Sequence, residues 1–117
     1  MLKTLFNRPS TTLQYEDISP QALNERQDAG ESLILLDVRA AVEYQFDGHI
    51  AGSRLLPLNA LHGRLAELPA DQPIVCICRS GNRSRFACEE LAAAGFKNLA
   101  NLSGGMIGWQ LGGFPAQ

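Results

Sequence analysis

The 117-residue chain is 45% hydrophobic and 19% charged, the size and composition of one globular domain able to bury its own core. A net charge of −2 gives no reason to expect nucleic acid or an acidic membrane as partner, so any affinity for anions has to be local. Three cysteines do not read as a disulfide framework, and Cys76-x-Cys78 is too tight for a zinc knuckle; neither metal nor cofactor is expected.

Met1 to Arg8 carry no long apolar stretch or small-residue cleavage site. No run approaches the roughly 20 apolar residues of a membrane span, and a cytoplasmic location is the expectation. Residues 1–12 read as a polar lead-in and residues 13–117 as a single domain.

In chain order, Leu13-Gln14-Tyr15 is predicted to be a short edge strand. Ser19 as N-cap and Pro20 at the first helical position start a helix that continues through Ala22, Leu23 and Arg26 and ends at Gly30. Leu33-Ile34-Leu35-Leu36 is a buried strand closing on Asp37-Val38-Arg39. Ala41 to Phe46 forms a short helix, cut off at Asp47-Gly48, and His49 to Gly52 is loop. Leu55-Leu56 makes a third strand, stopped by Pro57. Asn59 to Leu68 reads as a helix with Leu61, Leu65 and Leu68 on one face.

Pro73-Ile74-Val75-Cys76-Ile77 is the second all-apolar strand. The polar turn Cys78-Arg79-Ser80-Gly81-Asn82-Arg83-Ser84 follows it, leading into a helix from Arg85 to Ala94 that Gly95 ends. Asn98 to Leu102 is a last strand, and Ser103-Gly104-Gly105 turns into a helix from Met106 to Leu111, capped by Gly112-Gly113. Strands alternating with helices, two of the strands nearly all apolar, predict an α/β sandwich around a mainly parallel sheet. In such sheets the functional crevice lies at the carboxyl ends of the strands. Asp37 and Cys78 each follow a core strand and open on that rim.

Cys78 is the candidate nucleophile. Amides of a tight turn and the positive end of the following helix favour thiolate over thiol, and Arg79 and Arg83 push the same way. Cys76 reads as packing, with a resolving thiol as the alternative; Cys88 falls on an apolar helix face. Asp37 is read as a buried carboxylate that bonds loop backbone or pairs with an arginine, rather than as a substrate ligand. Arg39 either approaches the rim or pairs with Glu43. His49 is taken as structural, His62 as surface, and Met106 with Trp109 as a packing face.

Four segments, in order, resemble the rhodanese-like sulfurtransferase family, specifically its small single-domain members. They are Leu36-Asp37-Val38-Arg39 with Glu43-Tyr44, Gly48-His49-Ile50-Ala51-Gly52-Ser53, the Cys78–Ser84 loop, and Gly104-Gly105-Met106 with Trp109. Arg54-Leu55-Leu56-Pro57 departs from the family's usual A-x-N-x-P. The resemblance implies a three-layer sandwich with a mainly parallel sheet of about five strands flanked by helices.

It also implies a persulfide on Cys78, formed from thiosulfate or another persulfide donor and passed to a thiol or cyanide, with a protein acceptor also compatible. Arg79, Ser80, Gly81, Asn82, Arg83 and Ser84 would bind the donor together with Arg39, and Asp37 would support the loop. A monomer is the default. Two other functions compete. A C-x5-R phosphatase needs arginine where Ser84 stands, between Arg83 and Arg85. A non-catalytic binding module of the family commonly lacks the cysteine.

Overall fold

The computed structural model describes residues 14–117, so the lead-in expected over residues 1–12 lies outside the described residues. The elements run β1 (Glu16–Ile18), α1 (Pro20–Asp28), β2 (Ile34–Asp37), α2 (Ala41–Phe46), β3 (Arg54–Leu55), α3 (Leu58–Leu61), β4 (Ile74–Ile77), α4 (Asn82–Ala93), β5 (Leu99–Leu102) and α5 (Gly105–Leu111). The strands form one sheet in the order β1-β5-β4-β2-β3, with every pairing parallel.

All four residues of β4 are buried because successive side chains point to opposite faces and helices cover both. Ile74 and Cys76 join Leu36, Leu61, Ala87, Cys88 and Leu91, a core closed by α3 and α4. Val75 and Ile77 join Leu23, Leu35, Ala100, Leu102, Met106 and Trp109, closed by α1 and α5. The expected α/β sandwich is therefore what forms. Trp109 is fully buried in it, its indole N–H donating to the Pro115 carbonyl at 2.8 Å. Among the described residues, no helix is long and apolar enough to cross a membrane.

Four expectations are corrected. The edge strand is Glu16–Ile18, in register with Ala100–Leu102 of β5, whereas Tyr15 is drawn into the core and Leu13 lies outside the described residues. The third strand is Arg54–Leu55; Leu56 follows it, its N–H donating to Asp37 O at 2.8 Å. The helix expected from Asn59 to Leu68 is α-helical only to Leu61. A 3₁₀ segment, His62–Glu67, then takes over, with Arg64 at a non-helical φ of −127°. Gly63 inside this stretch lowers helix propensity, yet Leu61 and Leu68 stay buried and Leu65 partly so. Finally, α4 begins at Asn82 rather than Arg85, which matters most for the site.

Candidate active site

Cys78 stands one residue beyond the end of β4, and only Ser80 and Gly81 separate Arg79 from α4. So sharp a change of direction requires Gly81, the N-cap, to adopt φ of 103°, a conformation that burdens any residue with a Cβ. Asn82, Arg83 and Ser84 consequently form the first turn of α4. A second glycine permits the loop to be fixed from outside. At Gly105 (φ 57°) a Cβ would overlap Cys78 O and Arg79 O. In its absence the start of α5 closes in, with Met106 N–H donating to Cys78 O at 2.8 Å and Ile107 N–H to Arg79 O at 3.0 Å. With its carbonyls held by α5, the loop turns its amides toward the sulfur.

Gly81 N–H donates to Cys78 Sγ at 3.1 Å, and Ser84 Oγ lies 3.3 Å from the same sulfur. Burial opposes ionisation of this thiol. The Ser84 hydroxyl and the backbone N–H groups of Ser84, Gly81 and Ser80 outweigh it, so the pKa falls below the ordinary thiol value. The local physics, an amide and a hydroxyl against a sulfur at a helix N-terminus, favours the thiolate over the thiol. Cys78 is 1% exposed, more enclosed than a rim position leads one to expect, because the turn of Gly81 and the buried Ser84 lie against its sulfur.

The other anticipated residues separate. Arg79, Ser80 and Asn82 are exposed and Arg83 half-buried, while Gly81 and Ser84 are buried. Ser84 thus sits beside the sulfur and away from solvent, a correction to its expected place among the donor-facing residues. Arg83 makes a bidentate pair with Glu43 of α2, at 2.6 and 2.7 Å. The Arg83 hydrogen bond is the main reason the Glu43 carboxyl lies at about 2, with burial acting against it and the Ala40 N–H adding to it. Arg79 has no ion-pair partner among the described residues.

Arg39 does not pair with Glu43 and does not stand free at the rim. It is 1% exposed and grips Asp37 through Nε and Nη2, at 2.9 and 2.8 Å, and Gly48 O at 2.8 Å. Its surroundings include a cavity of about 270 Å³ shared with Asp47, Arg79, Met106, Ile107 and Gln110. Asp37, fully buried, also accepts the Arg39 N–H at 3.2 Å, so it both bonds backbone and pairs with an arginine.

His49 stacks on Tyr44, ring centroids 3.8 Å apart, with Nδ1 2.8 Å from Tyr44 O. His62 is exposed, its ring 3.2 Å from Glu90. Cys76 and Cys88 are both buried, and a hydrogen bond with Cys76, then burial, push the Cys88 thiol up. Three contributors escaped the sequence: Glu43 as the partner of Arg83, and Asn101 and Asp17 behind Ser84. Their pairings span 17 to 84 positions, beyond any local signal; the spacing of Glu43 suggests only a different arginine, Arg39.

The parallel α/β sheet thus delivers a cysteine from a central strand into a helix-capping loop, placing a thiol of lowered pKa at the carboxyl end of the sheet. The Rhodanese-like domain family matches residues 19–111. The chain is 35% identical over 99 residues to a sulfurtransferase of Allochromatium vinosum, covering 85% of this chain and 92% of that one. It is 33% identical over 104 residues to the thiosulfate sulfurtransferase GlpE of Ectopseudomonas mendocina, covering 89% and 92%. The crystal structure of a rhodanese-related protein from Thermoplasma volcanium superposes with a TM-score of 0.80 at 34% identity, covering 88% of this chain and 98% of that one. The protein belongs to the rhodanese-like family.

Proposed function

We propose that the protein is a sulfurtransferase that carries a sulfane sulfur on Cys78. The Cys78 thiolate attacks the outer sulfur of thiosulfate; the new S–S bond forms as the S–S bond of the donor breaks, and sulfite leaves with the bonding pair. The product, Cys78–S–S⁻, passes its terminal sulfur to cyanide, giving thiocyanate, or to a thiolate, giving a new persulfide, and Cys78 returns as thiolate. A low-molecular-weight or protein persulfide serves equally as donor, and a protein thiol as acceptor. No cofactor takes part.

The observation that carries this reading is the Gly81 N–H on Cys78 Sγ at 3.1 Å, at the head of a twelve-residue helix. Donors aimed at sulfur stabilise the anion before attack, and the same amides suit the persulfide anion afterwards. Arg79, exposed and without an ion-pair partner among the described residues, attracts an anionic donor; Ser80 and Asn82 flank it. Arg83 adds positive charge, tempered by Glu43. Cys78 is 1% exposed, so the donor has to present its terminal sulfur to an atom recessed behind the turn of Gly81.

Steady-state formation of thiocyanate from thiosulfate and cyanide tests the reading. Parallel-line ping-pong kinetics that vanish in Cys78→Ala are expected. No thiocyanate, with turnover of an aryl phosphate instead, would move the assignment to a phosphatase; no turnover of either would leave a binding module.

A further inference from the structure

Four side chains from three elements and the loop form a line of hydrogen bonds ending on the nucleophile. Asn101 of β5 is 1% exposed and lies in register between Asp17 of β1 and Cys76 of β4. Its Nδ2 donates to Asp17 Oδ1 at 3.1 Å. Its Oδ1 accepts the hydroxyl of Ser84, which is fully buried. Ser84 Oγ is in turn 3.3 Å from Cys78 Sγ.

Counting protons along this line gives it a direction. A carboxylate only accepts, so Asp17 obliges Asn101 to turn its NH2 toward β1 and its carbonyl toward Ser84. A hydroxyl has one proton, and Asn101 Oδ1 takes it. Ser84 then meets Cys78 with an oxygen lone pair, which suits S–H and not S⁻. When Cys78 ionises, its proton leaves to solvent and the Ser84 hydroxyl has to turn to the sulfur. That leaves the Asn101 carbonyl buried without its partner, which opposes the change.

We propose that Asn101, oriented by Asp17, is a positioning residue that competes with Cys78 for the Ser84 proton and so restrains ionisation of the nucleophile. It acts through Ser84 and touches no substrate. Its consequence for sulfur transfer rests on the function proposed above, whereas the titration that tests it needs no turnover, so the two can fail separately.

The charged groups near the sulfur are Arg79 of the loop, Arg83 with Glu43 from α4 and α2, and Asp37 with Arg39 from β2. On the β1 side, Asp17 acts on Tyr15 together with Arg85 and Glu89 of α4. Apart from Asp17 itself, all remain in the variants that test the line. The Cys78 titration is read as thiolate ultraviolet absorbance, taken as the difference from the same protein carrying Cys78→Ala. Asn101→Leu and Asp17→Ala are each expected to lower the pKa by about half a unit to one unit, and Ser84→Ala to raise it.

Asp17 is exposed, so Asp17→Ala decides the matter if Asn101→Leu does not fold. Its lost charge alone would also shift the titration, and the Ser84→Ala background separates the two causes. There, Asn101→Leu has no further effect and Asp17→Ala keeps only the smaller part due to its charge, if the hydrogen-bond line carries the rest. An unchanged or raised pKa in the single variants, or a shift from Asn101→Leu or Asp17→Ala that is undiminished without Ser84, overturns the proposal.

Discussion

Glu43 and Arg83, forty positions apart, face each other across the mouth of the site with two hydrogen bonds of 2.6 and 2.7 Å. They tie α2 to the first turn of α4, the turn that also carries Ser84. The pair makes stability depend on pH in a defined direction. Glu43 has its folded pKa lowered from 4.5 to about 2, so the stability it contributes is present above 4.5 and lost as pH falls toward 2. Arg83 is partly open to solvent, which holds the contribution to about 1 kcal/mol or less. Thermal melts of wild type and Glu43→Gln should differ by a constant small amount at pH 5 to 7 (roughly a few degrees) and converge between pH 4.5 and 2. A gap that widens in acid would contradict the assignment.

Arg83 keeps its charge near Cys78 even when paired. Arg83→Ala is expected to raise KM for thiosulfate several-fold and to lower kcat less, the pattern of lost ground-state binding. An unchanged KM would remove Arg83 from donor binding and leave Arg79 as the cation that matters.

The Asp37–Arg39 pair behaves differently because both side chains are sealed, at 0% and 1% exposure. Asp37→Asn leaves a guanidinium with a neutral partner in a dry site, which costs about 3–5 kcal/mol in comparable buried pairs. Urea unfolding measures it. A loss below about 1 kcal/mol, the level of an exposed pair, would show that Arg39 is free to reach solvent or donor.

How much of this was readable in advance follows from the range of the forces involved. β4 and α2 announce themselves, one by an unbroken apolar run, the other by Asp47-Gly48 after six helical residues, Ala41–Phe46. Cys78 is legible because a cysteine placed between a buried strand and a helix has few other reasons to be there. The early start of α4 depends on a positive φ at Gly81, which sequence permits but does not dictate. The broken helix after Leu61 obeys the expected leucine stripe while abandoning the α-helical backbone, so burial was readable and geometry was not. Glu43–Arg83 and Asp17–Asn101–Ser84 are products of strand order and helix docking; local pattern has no access to them.

Gly105 tests how the loop is held. A methyl group there would strike the carbonyls of Cys78 and Arg79, so Gly105→Ala should destabilise by about 2–4 kcal/mol and reduce sulfur transfer more than ten-fold. Gly30→Ala is the control: φ is also positive, at 75°, but nothing lies within 4 Å, and the cost is about 1–2 kcal/mol with activity retained. Equal effects of the two substitutions in urea unfolding would mean that close approach of α5 does not shape the loop.

The lowered Cys78 pKa sets the pH dependence of the first half-reaction. Loading from thiosulfate in single turnover should rise with pH through a pKa below the free-thiol value of about 8.5 and then level off. A midpoint at or above that value would mean that burial prevails over the amides and Ser84.

Intact-mass measurement after incubation with thiosulfate bears most directly on whether Cys78 carries sulfur. The expected result is a gain of about 32 Da, one sulfur atom, that cyanide removes and that Cys78→Ala never acquires. A wild-type mass that does not change, or the same gain in Cys78→Ala, would contradict it.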